Sequence, residues 1–226
     1  MHFSPGYPVS DTGAYGPMLS KIALTVTLLT LSMQASATQK EWRFQVYLDD
    51  KEIGYHDFTL QEIDNQQRLL SAANFEYRLM FVKLYGYLQK NTEIWSGDCL
   101  TRIESTTDAN GKPFRVSGSL QGDRFVVNGT AGKAELPSCA MSFAYWNPAF
   151  LEQERLINAQ NGQVLDVEVS EPELVQLEVR GTMQPAYRYL LGAGELQIEL
   201  WYSENKEWLA LATEARGGRR LRYELL

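Results

Sequence analysis

Histidine is the side chain best suited to moving a proton near neutral pH. It occurs at only two positions in this chain of 226 residues, His2 and His56. His56 stands in Gly54-Tyr55-His56-Asp57-Phe58, a strand-like run in which Asp57 points to the opposite face. The neighbours therefore do not form a catalytic dyad. No Gly-x-Ser-x-Gly elbow occurs, and Ser96-Gly97-Asp98 reads as a turn. Glu93, Asp98, Glu104, Glu135 and Glu195 are scattered, and none stands out as one of a glycosidase pair. Asp49-Asp50-Lys51-Glu52 reads as a hairpin tip, because the spacing for several calcium-binding oxygens is absent. Two cysteines and one later histidine lack zinc-site spacing, and the chain has no phosphate loop or dinucleotide fingerprint. No catalytic residue, metal or cofactor is assigned. Asn128-Gly129-Thr130 fits a glycosylation sequon, and a turn explains it equally.

Cys99 and Cys139 form an even pair, which reads as a disulfide in an oxidising compartment. Closing a loop of about 40 residues would restrict the unfolded chain by roughly 4 kcal/mol. Aromatic side chains are the other conspicuous group. Tyr77, Phe81, Tyr85, Tyr87 and Trp95 crowd one region, and Tyr145 and Trp146 precede a second apolar stretch. Such residues either fill a core or line an apolar ligand site. The candidate lining residues are Phe81, Tyr85, Tyr87, Trp95, Trp146 and Phe150.

The elements that must position these side chains are strands. Trp42, Phe44, Val46 and Leu48 alternate with Arg43, Gln45 and Tyr47, the pattern of a half-buried strand. Similar runs recur at near-regular spacing, parted by turn signals such as Asp108-Ala109-Asn110-Gly111. The expectation is a mainly β chain, an antiparallel meander of about twelve strands curled into a sheet, half-barrel or barrel. One short α-helix is expected near 148–158, with Asn147 as N-cap and Pro148 at its first position.

Residues 18–37 (MLSKIALTVTLLTLSMQASA) carry an early Lys21, an apolar run from Ile22 and small residues at Ala35-Ser36-Ala37. This is the pattern of a cleaved signal peptide, and it predicts export to the periplasm. Residues 1–17 read as a non-native or disordered extension, and residues 38–226 as one β-rich domain. No membrane span is expected once the leader is removed. The net charge of −7 argues against nucleic acid as a partner.

Four strings carry a resemblance: Gly54-Tyr55-His56-Asp57-Phe58, Trp95-Ser96-Gly97-Asp98-Cys99-Leu100, Phe143-Ala144-Tyr145-Trp146-Asn147-Pro148 and Arg220-Leu221-Arg222-Tyr223. Together they resemble a secreted proteobacterial family catalogued only as a domain of unknown function. More loosely, the architecture is similar to the periplasmic half-barrel carriers of lipoproteins, whose concave apolar face holds acyl chains. No residue roles transfer from either. The resulting expectation is a periplasmic protein that binds or carries an apolar small molecule or lipid in a curled sheet. The alternatives are an envelope scaffold or assembly factor acting through protein contacts, and an envelope hydrolase using His56 with a carboxylate.

Overall fold

A computed structural model describes residues 39–79, 81–215 and 217–226. Every element below belongs to the compact unit of residues 36–226. The extension at 1–17 and the leader at 18–37 lie outside the described residues.

Eight strands follow one another as hairpins: β1 (Gln39–Leu48), β2 (Lys51–Ile63), β3 (Gln66–Leu79), β4 (Val82–Ser96), β5 (Cys99–Ala109), β6 (Lys112–Gln121), β7 (Arg124–Gly129) and β8 (Gly132–Pro137). Next comes a small sheet of β9 (Met141–Ser142), β10 (Arg155–Ile157) and β11 (Val164–Asp166). The chain then returns to the large sheet with β12 (Glu168–Val169), β13 (Glu173–Val179), β14 (Thr182–Ala193), β15 (Leu196–Tyr202), β16 (Trp208–Ala215) and β17 (Arg219–Leu225). Antiparallel pairing of β17 with β1 (Phe44 opposite Leu225) joins the two halves into fourteen strands. The path runs from β12 to β8, and these ends do not pair among the described residues, so the sheet is not a closed barrel.

Alternation explains the strands. In β1, Trp42, Phe44, Val46 and Leu48 are buried while Glu41 and Arg43 are exposed. Asn110 and Gly111 both take positive φ (56° and 83°) in the β5–β6 turn, the backbone that Asn-Gly tolerates.

The curl follows from the core. Phe125 and Val127 of β7 share one contiguous buried cluster with Leu200 of β15. Nine strand steps separate these two strands. At about 4.8 Å per step, a flat sheet would hold them roughly 40 Å apart. The sheet therefore bends around whatever lies between them, and that is the chain itself. Residues 138–167 pack onto its inner face, burying Met141, Ala144, Trp146, Phe150, Leu156 and Ile157. We call this segment the plug.

Two expectations need correcting. The large sheet has fourteen strands with three more in the small one, not about twelve. The expected helix at 148–158 is a single 3-10 turn, Pro148–Glu152. Asn147 does cap it, Oδ1 accepting from the Ala149 N–H at 3.1 Å. Gln153 is already extended, and β10 then runs parallel to β9 and antiparallel to β11. A helix cannot point Phe150, Leu156 and Ile157 all inward along one narrow stripe. A turn followed by a strand buries all three completely, so tertiary burial overrides local propensity.

Candidate functional site

The inner face of the sheet carries three zones along the strands: a plugged apolar end, a polar band, and a second apolar end without the plug.

At the plugged end, Trp95 (β4) is fully buried and meets Trp146 edge-on, ring centroids 5.5 Å apart. The Cys99–Cys139 disulfide ties the start of β5 to the start of the plug, and the Leu100 N–H donates to the Ala140 carbonyl at 3.0 Å beside it. Asn147 Nδ2 donates to Asp98 Oδ1 at 2.9 Å. At the far end of the plug, Gly129 and Gly162 approach so closely that a Cβ on either would collide with backbone of the other segment. Two of the strings quoted above, 95–100 and 143–148, thus meet in one joint.

The polar band crosses β2 to β5. Ser71, Asn91 and Ser105 stand side by side in register on three adjacent strands. Gln89 Nε2 donates to Thr107 Oγ1 at 3.1 Å one row away. His56 Nε2 lies 2.7 Å from Ser71 Oγ. Glu93 accepts from Asn91 Nδ2 at 3.0 Å and from Trp95 Nε1 at 3.1 Å. Burial pushes the Glu93 carboxyl above its ordinary range, against the opposing hydrogen bonds from Asn91, Ser142 and Trp95. Burial alone pushes His56 down to about 3, so the imidazole is neutral at physiological pH. His56 Nδ1, Asn91 Oδ1 and Ser105 Oγ are buried without a hydrogen-bond partner among the described residues. The contact of His56 is thus a serine, not a carboxylate, and no third group orients its other nitrogen. That pair lacks the acid that holds the base of a serine hydrolase in place.

Beyond the band lies a second apolar cluster: Val46, Leu48, Ile53, Ala73 and Phe75, with Tyr77, Tyr87, Leu221 and Tyr223 packed around it. No residue of the plug belongs to it. Phe75 stacks on Tyr87 at 5.4 Å and 13°, and burial raises the hydroxyl pKa of Tyr87 and Tyr223. A ladder of rings (Tyr145, Trp208, Phe58, His56) links the plug to this end. On the outer face, a groove of about 680 Å³ passes Lys90, Glu104, Arg115 and Asn128.

The six lining candidates separate. Trp95, Trp146 and Phe150 lie in the plugged core at 0%, 9% and 0% exposure. Tyr87 packs on the second cluster. Tyr85 stands 40% exposed at its rim, opposite Tyr77, and Phe81 is 96% exposed at the β3–β4 turn. Sequence reasoning passed over Ser71, Gln89, Asn91, Ser105 and Thr107. Their signal was available: each has the parity of buried neighbours on its own strand, as Asn91 does between Gln89 and Glu93. Asn91 instead reads as the end of a strand when propensity alone is weighed. Among the described residues, no group of three or more His, Cys, Asp or Glu side chains could hold a metal ion. No described helix is long and apolar enough to cross a membrane.

A family model, Domain of unknown function (DUF6134), matches residues 44–226, a range that contains all four strings. No curated protein matches the chain. Among solved structures, it is similar to the crystal structure of a beta-barrel-like protein of domain of unknown function DUF1849 from Brucella abortus. The identity is 12% and the TM-score 0.57, with 84% of this chain and 96% of that chain covered. At that identity the likeness concerns the fold alone.

Proposed function

The chain belongs to the DUF6134 family, and on that premise we propose that it binds an apolar or amphipathic small molecule, such as a lipid, at the unplugged end of the inner face. The observation that carries the reading is the pair of clusters on one face. The first is covered by the chain's own plug, and the second has Tyr77, Tyr85, Tyr87 and Tyr223 at its edge instead. Tyrosine offers an apolar ring with a polar tip, which suits the rim of an apolar ligand site. The reading assigns the ligand to Tyr85 and Tyr87 and leaves out Phe81, which stands 96% exposed at the β3–β4 turn. It leaves Trp95, Trp146 and Phe150 as the packed floor. The protein would work in the periplasm after loss of its leader, a setting in which a structural disulfide persists.

Native mass spectrometry on protein purified from its host is the test. A co-purifying acyl-chain mass is expected, and Tyr85→Asp, at a half-exposed site, should release it while the fold stays intact. Protein that carries no extra mass, and gains none when incubated with a monoacyl lipid, would exclude the reading.

A further inference from the structure

The β3–β4 hairpin outruns its neighbours. β2 pairs with β3 only as far as Phe75, and β5 pairs with β4 only from Tyr87. Residues 76–79 and 81–86 therefore continue as a ribbon of two strands, with Glu76 opposite Gly86, Tyr77 opposite Tyr85, Arg78 opposite Lys83 and Leu79 opposite Val82. On the β3 side Lys51 of β2 still reaches this ribbon, its Nζ donating to the Arg78 carbonyl, so the end at Leu79 and Val82 is the part that stands clear. An isolated two-stranded ribbon is marginal in water, and this one presents its apolar side chains to solvent. Phe81 is 96% exposed, Val82 61%, and Leu84 and Leu88 about half. Five of the twelve large exposed hydrophobic residues of the described chain fall between 81 and 88. Such clustering marks an interaction site.

The order of residues along the ribbon indicates the partner. Aliphatic and aromatic side chains occupy the extreme end. One rung behind them come the cations Arg78 and Lys83, which share one carboxylate, Glu76, leaving a single net positive charge. Behind these stands the Tyr77–Tyr85 pair, with Lys51 and Arg219 both over the Tyr77 ring. Apolar groups, then cations and tyrosines, is the sequence of layers from acyl chains to headgroups at a bilayer surface. A narrow convex tip also offers far less area than the roughly 1,000 Å² that a specific protein interface needs.

We propose that the β3–β4 hairpin docks the protein on a lipid bilayer by inserting Phe81 and Val82 among the headgroups. Past Phe75 and Tyr87 no described strand pairs with the ribbon's outer edges, which confines insertion to the wet interfacial layer. The docked hairpin sets the unplugged cluster against the membrane, since Phe75 and Tyr87 continue directly from the ribbon. This inference stands apart from the ligand reading, because a protein that carries nothing can still dock.

Flotation of residues 38–226 with vesicles tests it. The protein should float with phosphatidylcholine vesicles and with vesicles containing phosphatidylglycerol, and raised salt should leave most of it bound. Phe81→Ser with Val82→Ser should lower the partition coefficient roughly tenfold or more, with unchanged circular dichroism. A Phe81→Trp variant should show a blue-shifted emission increment on vesicles. Three results would overturn the proposal: no flotation of the unaltered protein, equal flotation of the double variant, or binding confined to anionic vesicles and abolished by salt. Retention of a co-purified lipid by the double variant would show the ligand site intact, so the two proposals fail separately.

Discussion

The two ends of the inner face are built from the same strands by the same alternation, yet one is a large core beneath the plug and the other a smaller buried cluster that no plug residue joins. Trp95 and Tyr85 point to one side of β4, ten residues apart. The first is sealed beneath Trp146; the second stands partly in solvent. What separates them is the plug, and what holds the plug is a joint of a disulfide, an Asn–Asp hydrogen bond and two glycines. A sheet face is an interior only where something covers it. Between the ends runs the polar band, itself buried.

The sharpest way to break this contrast is to truncate one ring at each end. Phe150→Ala leaves a void in the plugged core and should cost about 3–5 kcal/mol in denaturant unfolding. Phe81→Ala should change stability by less than about 0.5 kcal/mol. Similar losses at both sites would mean that the ends do not differ in packing.

Reducing Cys99–Cys139 frees the plug's first anchor, and at most about 4 kcal/mol should be lost for a separation of 40 residues. The loss should appear as a lower Tm in reductant. Hydrogen exchange should quicken first over residues 138–167, before the β3–β4 end responds.

The polar band sharpens the comparison through pH. His56 is held at about 3 in the folded state against 6.5 unfolded. The unfolded chain therefore takes up the proton first. The neutral-His contribution is complete above pH 6.5 and is lost as pH falls toward 3, by about 1.4 kcal/mol per unit. Glu93 has the opposite sign: its raised folded pKa favours the fold below the ordinary carboxyl value of 4.5, and that contribution fades as pH rises above it. His56→Gln, which can still bond Ser71, should flatten the stability profile between pH 6 and 4, measured by urea melts at each pH. A profile that keeps its slope would place the titration elsewhere.

The smallest effect is expected at Ser105. Its hydroxyl is buried without a partner among the described residues, so Ser105→Ala should be neutral or stabilise by up to about 1 kcal/mol. A clear loss of stability would show that the hydroxyl is engaged.

Much of this was legible in the sequence. The parity of Trp42, Phe44, Val46 and Leu48 assigns β1 and its buried face, Asn110-Gly111 assigns a hairpin, and two cysteines assign a bond. Each is a local rule of strand, turn or covalent chemistry, readable at short range. The helix at 148–158 fails because Leu156 and Ile157 find better burial in a small sheet than on a helix, which no local rule reports.

By itself, then, the sequence determined an antiparallel meander with alternating faces, because side-chain direction in a strand depends only on position along the chain. Only the tertiary structure decided which stretch of the inner face is core. Burial is a property of two surfaces, and the second surface, residues 138–167, arrives from far along the chain.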